Sequence, residues 1–435
     1  MAEIQPLTVN RAVRRYTLGV LVVVYTFNFI DRQILAILLP SIRTEFGVDD
    51  WVLGFLAGSA FALFYATLGV PIALLGDRLN RRNLIAVAVA IWSGMTALSG
   101  AAGNIVHLAL ARVGVGVGEA GFSPPAHSMI SDLYPPEERS TAMGIFTLGI
   151  SIGIMLAYLA GGWVAQNIGW REAFYLVGIP GIFLALVVRF TLKEPVRGMS
   201  DGRADTDDRP GILTVAKFLL KRNSFLHLAI GSGLASFNGY AIISFFPSFM
   251  ARSHGMSIVE IGVYLGLIIG ISGGLGFAGG GYVADKASRW GARWSLWTVS
   301  IATMIAWLFL FPIYLSDNPY NVLAFMILPT AFSNFYLATT FAQVQGLVGL
   351  RMRAVASALL LFLLNIIGLG LGPQITGILS DVLREAAGND SLRYSLMAVG
   401  LVTAPWSAFH YFRAGRYIED DLASVDDGVT GGADS

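Results

Sequence analysis

Long apolar runs alternate with short polar clusters along the whole chain. Each run is about as long as a bilayer-crossing helix, which needs roughly 20 predominantly apolar residues. The pattern predicts twelve helical spans, at roughly 16–40, 52–76, 83–103, 106–132, 141–166, 172–192, 225–250, 257–284, 294–315, 320–347, 353–380 and 391–413. Turn signals separate them, among them NRRN at 80–83, YPPEERS at 134–140 and SDNP at 316–319. One loop is long. Its first part, EPVRGMSDGRADTDDRPG, is polar and Gly-rich and reads as flexible. Its second part, ILTVAKFLLKR, places Ile212, Val215, Ala216 and Leu219 at helical spacing, which predicts an amphipathic helix on the inner leaflet. The expected organisation is a six-helix bundle over 1–192, a linker over 193–224, a second six-helix bundle over 225–416 and a disordered acidic tail over 417–435.

Composition fixes the solvent. The 435 residues are 55% hydrophobic and only 13% charged, against about one quarter charged in soluble domains. The core must be the bilayer. A net charge of +1 gives no electrostatic case for nucleic acid, and the absence of cysteine excludes thiol chemistry and disulfides. The N-terminus runs from a polar stretch into an apolar run too long for a signal-peptide core, so it reads as an uncleaved first span.

The distribution of Lys and Arg predicts orientation. With the N-terminus inside, cytoplasmic segments hold 22 of the 29. They are Arg11, Arg14, Arg15, Arg78, Arg81, Arg82, Arg139, Arg189, the seven from Lys193 to Arg222, Lys286, Arg289, Arg293, Arg351, Arg353, Arg413 and Arg416. Outer loops hold five, Arg43, Arg171, Arg252, Arg384 and Arg393. Both termini are therefore expected to be cytoplasmic, in a multi-pass protein of the plasma (inner) membrane.

The remaining two bases, Arg32 and Arg112, lie inside spans, as do Asp31 and Glu119. Ionisable groups at bilayer depth are costly and mark functional sites. Arg112 and Glu119 are seven residues apart, so two helical turns put them on one face, about 10 Å apart. Gly114, Gly116 and Gly118 between them invite close helix packing. Asp31 and Arg32 are adjacent, so their side chains diverge by about 100°. One division has Arg32 facing a central cavity and Asp31 bracing against the fourth span; the bland alternative pairs Arg32 with Glu119 as a static tie. The C-terminal spans show no buried charge. They offer Ser236, Asn238, Asn334, Tyr336, Gln343, Gln345 and Asn365, read mostly as helix-packing polars. His107, His127, His227, His254 and His410 are scattered without metal-ligand spacing.

The two halves echo each other. ALLGDRLNRR ends the second span and GYVADKASRWGAR ends the eighth; ERSTAMG follows the fourth and RMRAVAS follows the tenth. Such repeats mark a duplicated transporter fold. At these motifs the chain resembles the major facilitator superfamily over all twelve spans. NFIDRQ, GDRLNRR and ARVGVGVGEAGFSPPAHSMISDLYPPEERS are similar to the Spinster family of lysolipid and sphingolipid transporters. The chain departs from the superfamily's loop motif at Ala73 and Asn80, where Gly is usual, and GISIGIM in the fifth span lacks the proline of the antiporter motif.

The resemblance implies an all-α membrane protein of two pseudo-symmetric six-helix bundles, not an enzyme. It assigns ion coupling to the fourth span, so Asp31, Arg32, Arg112 and Glu119 are the expected substrate and proton-coupling residues. It also implies a cytoplasmic latch of Asp77, Arg78, Arg82, Arg139, Asp285 and Lys286, in which Asp77 faces a helix N-terminus and Arg139 helps to hold it. The expected partner is a small amphipathic anion such as a lysolipid or sphingolipid-like phosphate, within the bilayer. Protons are the coupling ion and no other cofactor is expected; a monomer is expected. None of the four lysines follows a glycine, which excludes a nucleotide P-loop, and none lies inside a span, which excludes a retinal protein. Alternatives left open are a facilitator of another organic anion or drug without proton coupling, and a solute sensor of the same fold.

Overall fold

The computed structural model describes residues 10–196, 211–349 and 352–430, and every regular element among them is helical. Eleven of these helices are long and apolar enough to cross a membrane. The twelfth predicted span lies within the 40-residue helix Ser391–Thr430.

Two compact units form. Among the described residues, the first holds 10–48, 59–196 and 257–266. Its helices are α1 (Arg11–Phe46), α2 (Ala60–Arg78), α3 (Arg81–Gly100), α4 (Ile105–Glu119), α5 (Ser123–Leu133), α6 (Pro136–Asn167) and α7 (Trp170–Thr191). Short polar residues punctuate them. The side chains of Asn10, Asn80 and Asn104 accept from the backbone N–H of Ala12, Asn83 and His107, satisfying donors that the first turn leaves open. α1 ends at Gly47, whose φ of 61° suits glycine, with its N–H bonded to the carbonyl of Arg43. Segment 257–266 joins this unit through glycine: a Cβ on Gly162 would come within 2.8 Å of the Ile258 carbonyl oxygen, and Val259 N–H donates to Gln166 Oε1 at 3.0 Å.

The second unit holds 49–58, 211–256, 267–349 and 352–430 of the described residues. Its helices include α8 (Ile212–Leu220), α9 (Asn223–His254), α10 (Gly273–Ala287), α11 (Ala292–Leu308), α12 (Pro319–Phe332), α13 (Phe335–Gly346), α14 (Arg353–Leu363), α15 (Gly372–Val382) and α16 (Ser391–Thr430). The expected division at the long loop is thus crossed twice. The beginning of the second span packs with the second unit, and the beginning of the eighth packs with the first. In both spans a π-helical stretch, Phe55–Ser59 and Ile268–Ser272, lies at the crossing. This echo is invisible in the residue pattern, because a π-turn preserves the apolar run.

Two further expectations change. The apolar stripe of α8 is divided: Val215 and Leu219 are fully buried with Phe225, Leu228, Val348, Ala356 and Tyr411, while Ile212 stays exposed. The tail does not become disordered at 417, because α16 continues through 430; residues 431–435 lie outside the described ones. Ile418 is fully buried, and Asp421 accepts from the Ser224 N–H at 2.9 Å and its Oγ at 2.6 Å, capping α9. An acidic composition could not reveal that one carboxylate has a helix end to cap.

The second unit is also not free of buried charge. Arg393 is buried, and so is Asp50, completely. Asp50 receives both arms of Arg252, at 2.6 and 2.7 Å, and the Ser380 hydroxyl at 2.7 Å. The carboxylate of Asp381 in turn caps the short helix Asp50–Gly54, accepting from the N–H of Asp50 at 3.0 Å and of Trp51 at 2.7 Å. Arg384 reaches Asp49 at 2.5 Å and also pairs with Asp381. Asp50→Asn removes one partner of a buried, doubly bonded pair. It is expected to cost about 3 kcal/mol, seen as an earlier thermal unfolding midpoint in detergent, with Asp50→Glu intermediate. An unchanged midpoint in Asp50→Asn would show that desolvation cancels the pair.

Candidate functional site

The four charges singled out within the spans all come together in the first unit. Arg32 donates to Glu119 Oε2 through Nη2 at 2.6 Å and Nε at 3.1 Å. The pair is almost wholly enclosed, with side-chain exposures of 7% and 0%. A charged pair taken out of water is held only where geometry and surroundings repay its desolvation. Here the surroundings are aromatic: the Arg32 guanidinium lies 5.0 Å from the ring centres of Phe29 and Phe61 and 4.8 Å from Tyr65. Ring faces favour a cation by about 0.5–2 kcal/mol each, more when desolvated.

Helix registers explain the convergence. Asp31 and Arg32 follow each other on α1 and point apart, as adjacency requires. Arg32 turns to Glu119, the last residue of α4. Asp31 is completely buried, and its neighbours are Trp92 and Thr96 of α3 together with Arg112. It therefore braces against the third span as well as the fourth, the one the sequence offered. Arg112 still touches α1, because its Nη1 donates to the Asp31 carbonyl at 3.3 Å, and its guanidinium lies 5.5 Å from the Phe61 ring centre.

The glycines of α4 make this possible. A Cβ on Gly116 would come within 2.6 Å of the Phe61 carbonyl oxygen on α2, and one on Gly118 within 2.6 Å of the Trp92 nitrogen on α3. Only hydrogen at these positions lets three helices close around the charges.

The remaining polar atoms of the centre face one another. Trp92 and Thr96 approach the Asp31 carboxylate and Asn28 approaches that of Glu119, through contacts looser than an ordinary hydrogen bond. The arrangement presents two buried carboxylates and one guanidinium in an aromatic cage. Asn28 and Phe29 open the NFIDRQ motif noted in the sequence, whereas Phe61, Tyr65, Trp92 and Thr96 were not picked out from it. Each is an ordinary residue in an apolar run, and only the helix packing aims it inward.

At the other end of these helices the hub is Arg81, a residue outside the expected latch set. Arg81 is 1% exposed. It donates to Glu194 at 2.7 Å, Ser128 at 2.7 Å and the Pro195 carbonyl at 2.8 Å, and pairs with Asp132. Arg82 contributes its backbone N–H to Glu194 at 2.8 Å. Arg139 donates to the Ser131 carbonyl at 3.0 Å. Asp285 and Lys286 are exposed in the last turn of α10. Asp77 and Arg78 end α2, and their side chains lie outside the described residues. The histidines are not all scattered: His227 and His410 meet through their Nδ1 atoms at 2.8 Å. No group of three metal-ligating side chains forms among the described residues.

Many membrane-crossing helices with an internal two-fold echo and charges gathered in one bundle define a secondary-transporter architecture. The family model for the Major Facilitator Superfamily matches residues 21–413, and the chain belongs to that superfamily. It is thus an integral, multi-pass membrane transporter and not an enzyme. Within the superfamily it is Spinster-like. It matches the crystal structure of a bacterial homolog to the human lysosomal transporter Spinster, in an inward-facing and unoccupied conformation, with a TM-score of 0.86 and 30% identity, covering 95% of this chain and 99% of that one. It is also similar to an MFS-type efflux pump of Mycolicibacterium smegmatis, 32% identical over 92% of this chain and 93% of the relative. Protein spinster homolog 1 of Xenopus tropicalis is 24% identical over 94% and 82%. The hexuronate transporter of Bacillus subtilis is 25% identical over 81% and 85%.

Proposed function

We propose that the protein couples movement of an amphipathic anion, of the lysophospholipid or sphingolipid-phosphate kind, to movement of protons by alternating access. The Arg32–Glu119 pair carries this reading. An anionic head group and the Glu119 carboxylate compete for one guanidinium, so protonation of Glu119 frees Arg32 to take the head group. Bidentate binding of phosphate or carboxylate is what guanidinium geometry favours. The rings of Phe29, Phe61 and Tyr65 shield the cation from water and strengthen its attraction to an anion. Asp31 and Arg112 form a second couple, with Asp31 held beside Trp92 and Thr96 of α3. The resemblance of NFIDRQ and GDRLNRR to the Spinster family is what favours a lipid-like solute.

A second reading has one specific support. Relatives that carry hexuronate and galactarate or glucarate favour a compact organic anion at the same Arg32. In both readings the termini face the cytoplasm of the plasma (inner) membrane and the protein acts as a monomer; protons are the coupling ion in the first, and the second needs none. The cytoplasmic latch of Asp77, Arg78, Arg82, Arg139, Asp285 and Lys286 belongs to the same reading, with Arg81 as its buried anchor.

Purified protein in liposomes decides between these. An imposed pH gradient is expected to drive accumulation of a labelled lysophospholipid phosphate against its concentration. Accumulation of hexuronate but not lysolipid selects the second reading, and flux unchanged by the gradient removes proton coupling.

A further inference from the structure

The eighth span, Ile258–Trp290, and the ninth, Ala292–Leu315, are joined by a single tight turn. Gly291 makes that turn at φ 127°, a conformation that favours glycine. Around it the second unit presents exposed tryptophan and arginine side chains. Trp290 is 71% exposed. Its ring meets Trp294 edge-on at 5.8 Å, Trp294 meets Trp297 at 5.1 Å, and Trp297 stacks on Phe412 of α16 at 5.3 Å. Trp297 Nε1 donates to the Phe412 carbonyl at 3.1 Å, fixing the column to α16.

Cations are interleaved with these rings. Arg293 lies 5.6 Å from the Trp297 ring centre and Arg416 4.8 Å from that of Phe412. Residues 285–293 and 412–420 contain five cations, Lys286, Arg289, Arg293, Arg413 and Arg416, against three acids, Asp285, Glu419 and Asp420. Glu419 approaches Arg293 at 3.8 Å. Arg289 and Arg416 are exposed and ion-paired with nothing among the described residues.

Two facts specify the occupant. The turn joins two membrane-crossing helices, so the surface sits at headgroup depth, where Trp is enriched because its ring is apolar and its N–H is wet. The charge is net positive, and Arg293 and Arg416 stand on rings that hold them in place, so the complement is an anion in that same layer. We propose that this Trp–Arg surface is a binding site for an anionic phospholipid, with the phosphate held between Arg289, Arg293 and Arg416 and the acyl chains running down past Trp290 and Trp294. On the orientation proposed above, the lipid is drawn from the inner leaflet. The site is separate from Arg32 and Glu119, which lie in the other unit.

The test is lipid retention. The full-length protein is incubated with vesicles of equimolar phosphatidylglycerol and phosphatidylcholine, re-extracted, and its bound lipids are counted by native mass spectrometry. Phosphatidylglycerol is expected to be retained over phosphatidylcholine, and the preference to fall about fivefold for each cation removed in Arg289→Gln, Arg293→Gln and Arg416→Gln. Trp290→Ala is expected to shorten retention of both lipids. A circular-dichroism melt in phosphatidylcholine confirms that each variant is folded, and Arg289→Gln serves alone if the others are not. Equal retention of the two lipids by the parent overturns the proposal, as does an unchanged preference in the folded variants. Displacement of the lipid by an excess of free glycerol 3-phosphate would also overturn it, by showing a soluble-phosphate site instead.

Discussion

Glu119→Gln is expected to lose gradient-driven flux by about tenfold or more, a loss of about 1.4 kcal/mol or more in the driven step, while still binding the anionic solute. Glutamine keeps the shape of the protonated acid and accepts from Arg32, but carries no exchangeable proton. In the parent, Glu119 Oε2 holds Arg32 through two hydrogen bonds at 2.6 and 3.1 Å. Removing the carboxylate charge leaves Arg32 permanently open to an anion. Binding measured at high pH should therefore tighten relative to the parent, and its pH dependence should flatten. Flux and binding are read on one preparation, by uptake into liposomes under an imposed pH gradient and by equilibrium binding of the labelled solute. A variant that still concentrates solute in response to the gradient would place coupling elsewhere, with Asp31 the next carboxylate to test.

Arg32→Ala has the opposite signature. The guanidinium is the cation that the proposed head group meets, and removing a bidentate charge-assisted contact costs about 2 kcal/mol or more, so binding should weaken about 30-fold or more. An uncharged analogue of the same solute should lose much less. The variant is also expected to be less stable by about 3 kcal/mol, because the fully buried Glu119 is left without its partner. That second effect provides the control. In Arg32→Ala with Glu119→Gln no charge is stranded, so the thermal midpoint should recover while binding stays lost. Arg32→Lys keeps the charge but not the fork, and should bind with intermediate strength. If Arg32→Ala binds the phosphorylated solute as well as the parent, Arg32 is a structural tie and the head group sits elsewhere. If the double variant stays as unstable as the single one, the aromatic cage rather than the ion pair holds these helices together.

Much of this was legible in the residues alone. Apolar runs of bilayer length fix the helices, because lipid offers the backbone no other way to satisfy its hydrogen bonds. Four charges inside those runs mark the site, because such groups are retained only at a cost. The echoes GDRLNRR and ADKASRWGAR expose the duplication. Residue type fails where many residues of one kind compete. Arg81 and Arg82 are neighbours of identical chemistry, and only packing shows that Arg81 is the buried one. Asp50 looks like an ordinary outer-loop acid after Asp49, and nothing local says that Arg252 lies two hundred residues away to meet it. The acidic tail illustrates the reverse error. Its composition matches disorder, yet Ile418 and Asp421 each find a specific place on α9 and its surroundings.

The sequence by itself determined the solvent, the helices, the superfamily and the identity of the four central charges, because each follows from local hydrophobicity or from spacing along one helix. Tertiary structure decided their partners. It turned Arg32 onto Glu119 and Asp31 toward Trp92 and Thr96, caged Arg32 in Phe29, Phe61 and Tyr65, and let glycines at 116 and 118 bring α2 and α3 close enough to do so. Pairing is a relation between helices distant in the chain. It depends on their rotation and approach, which a linear pattern of apolar and polar residues leaves undefined.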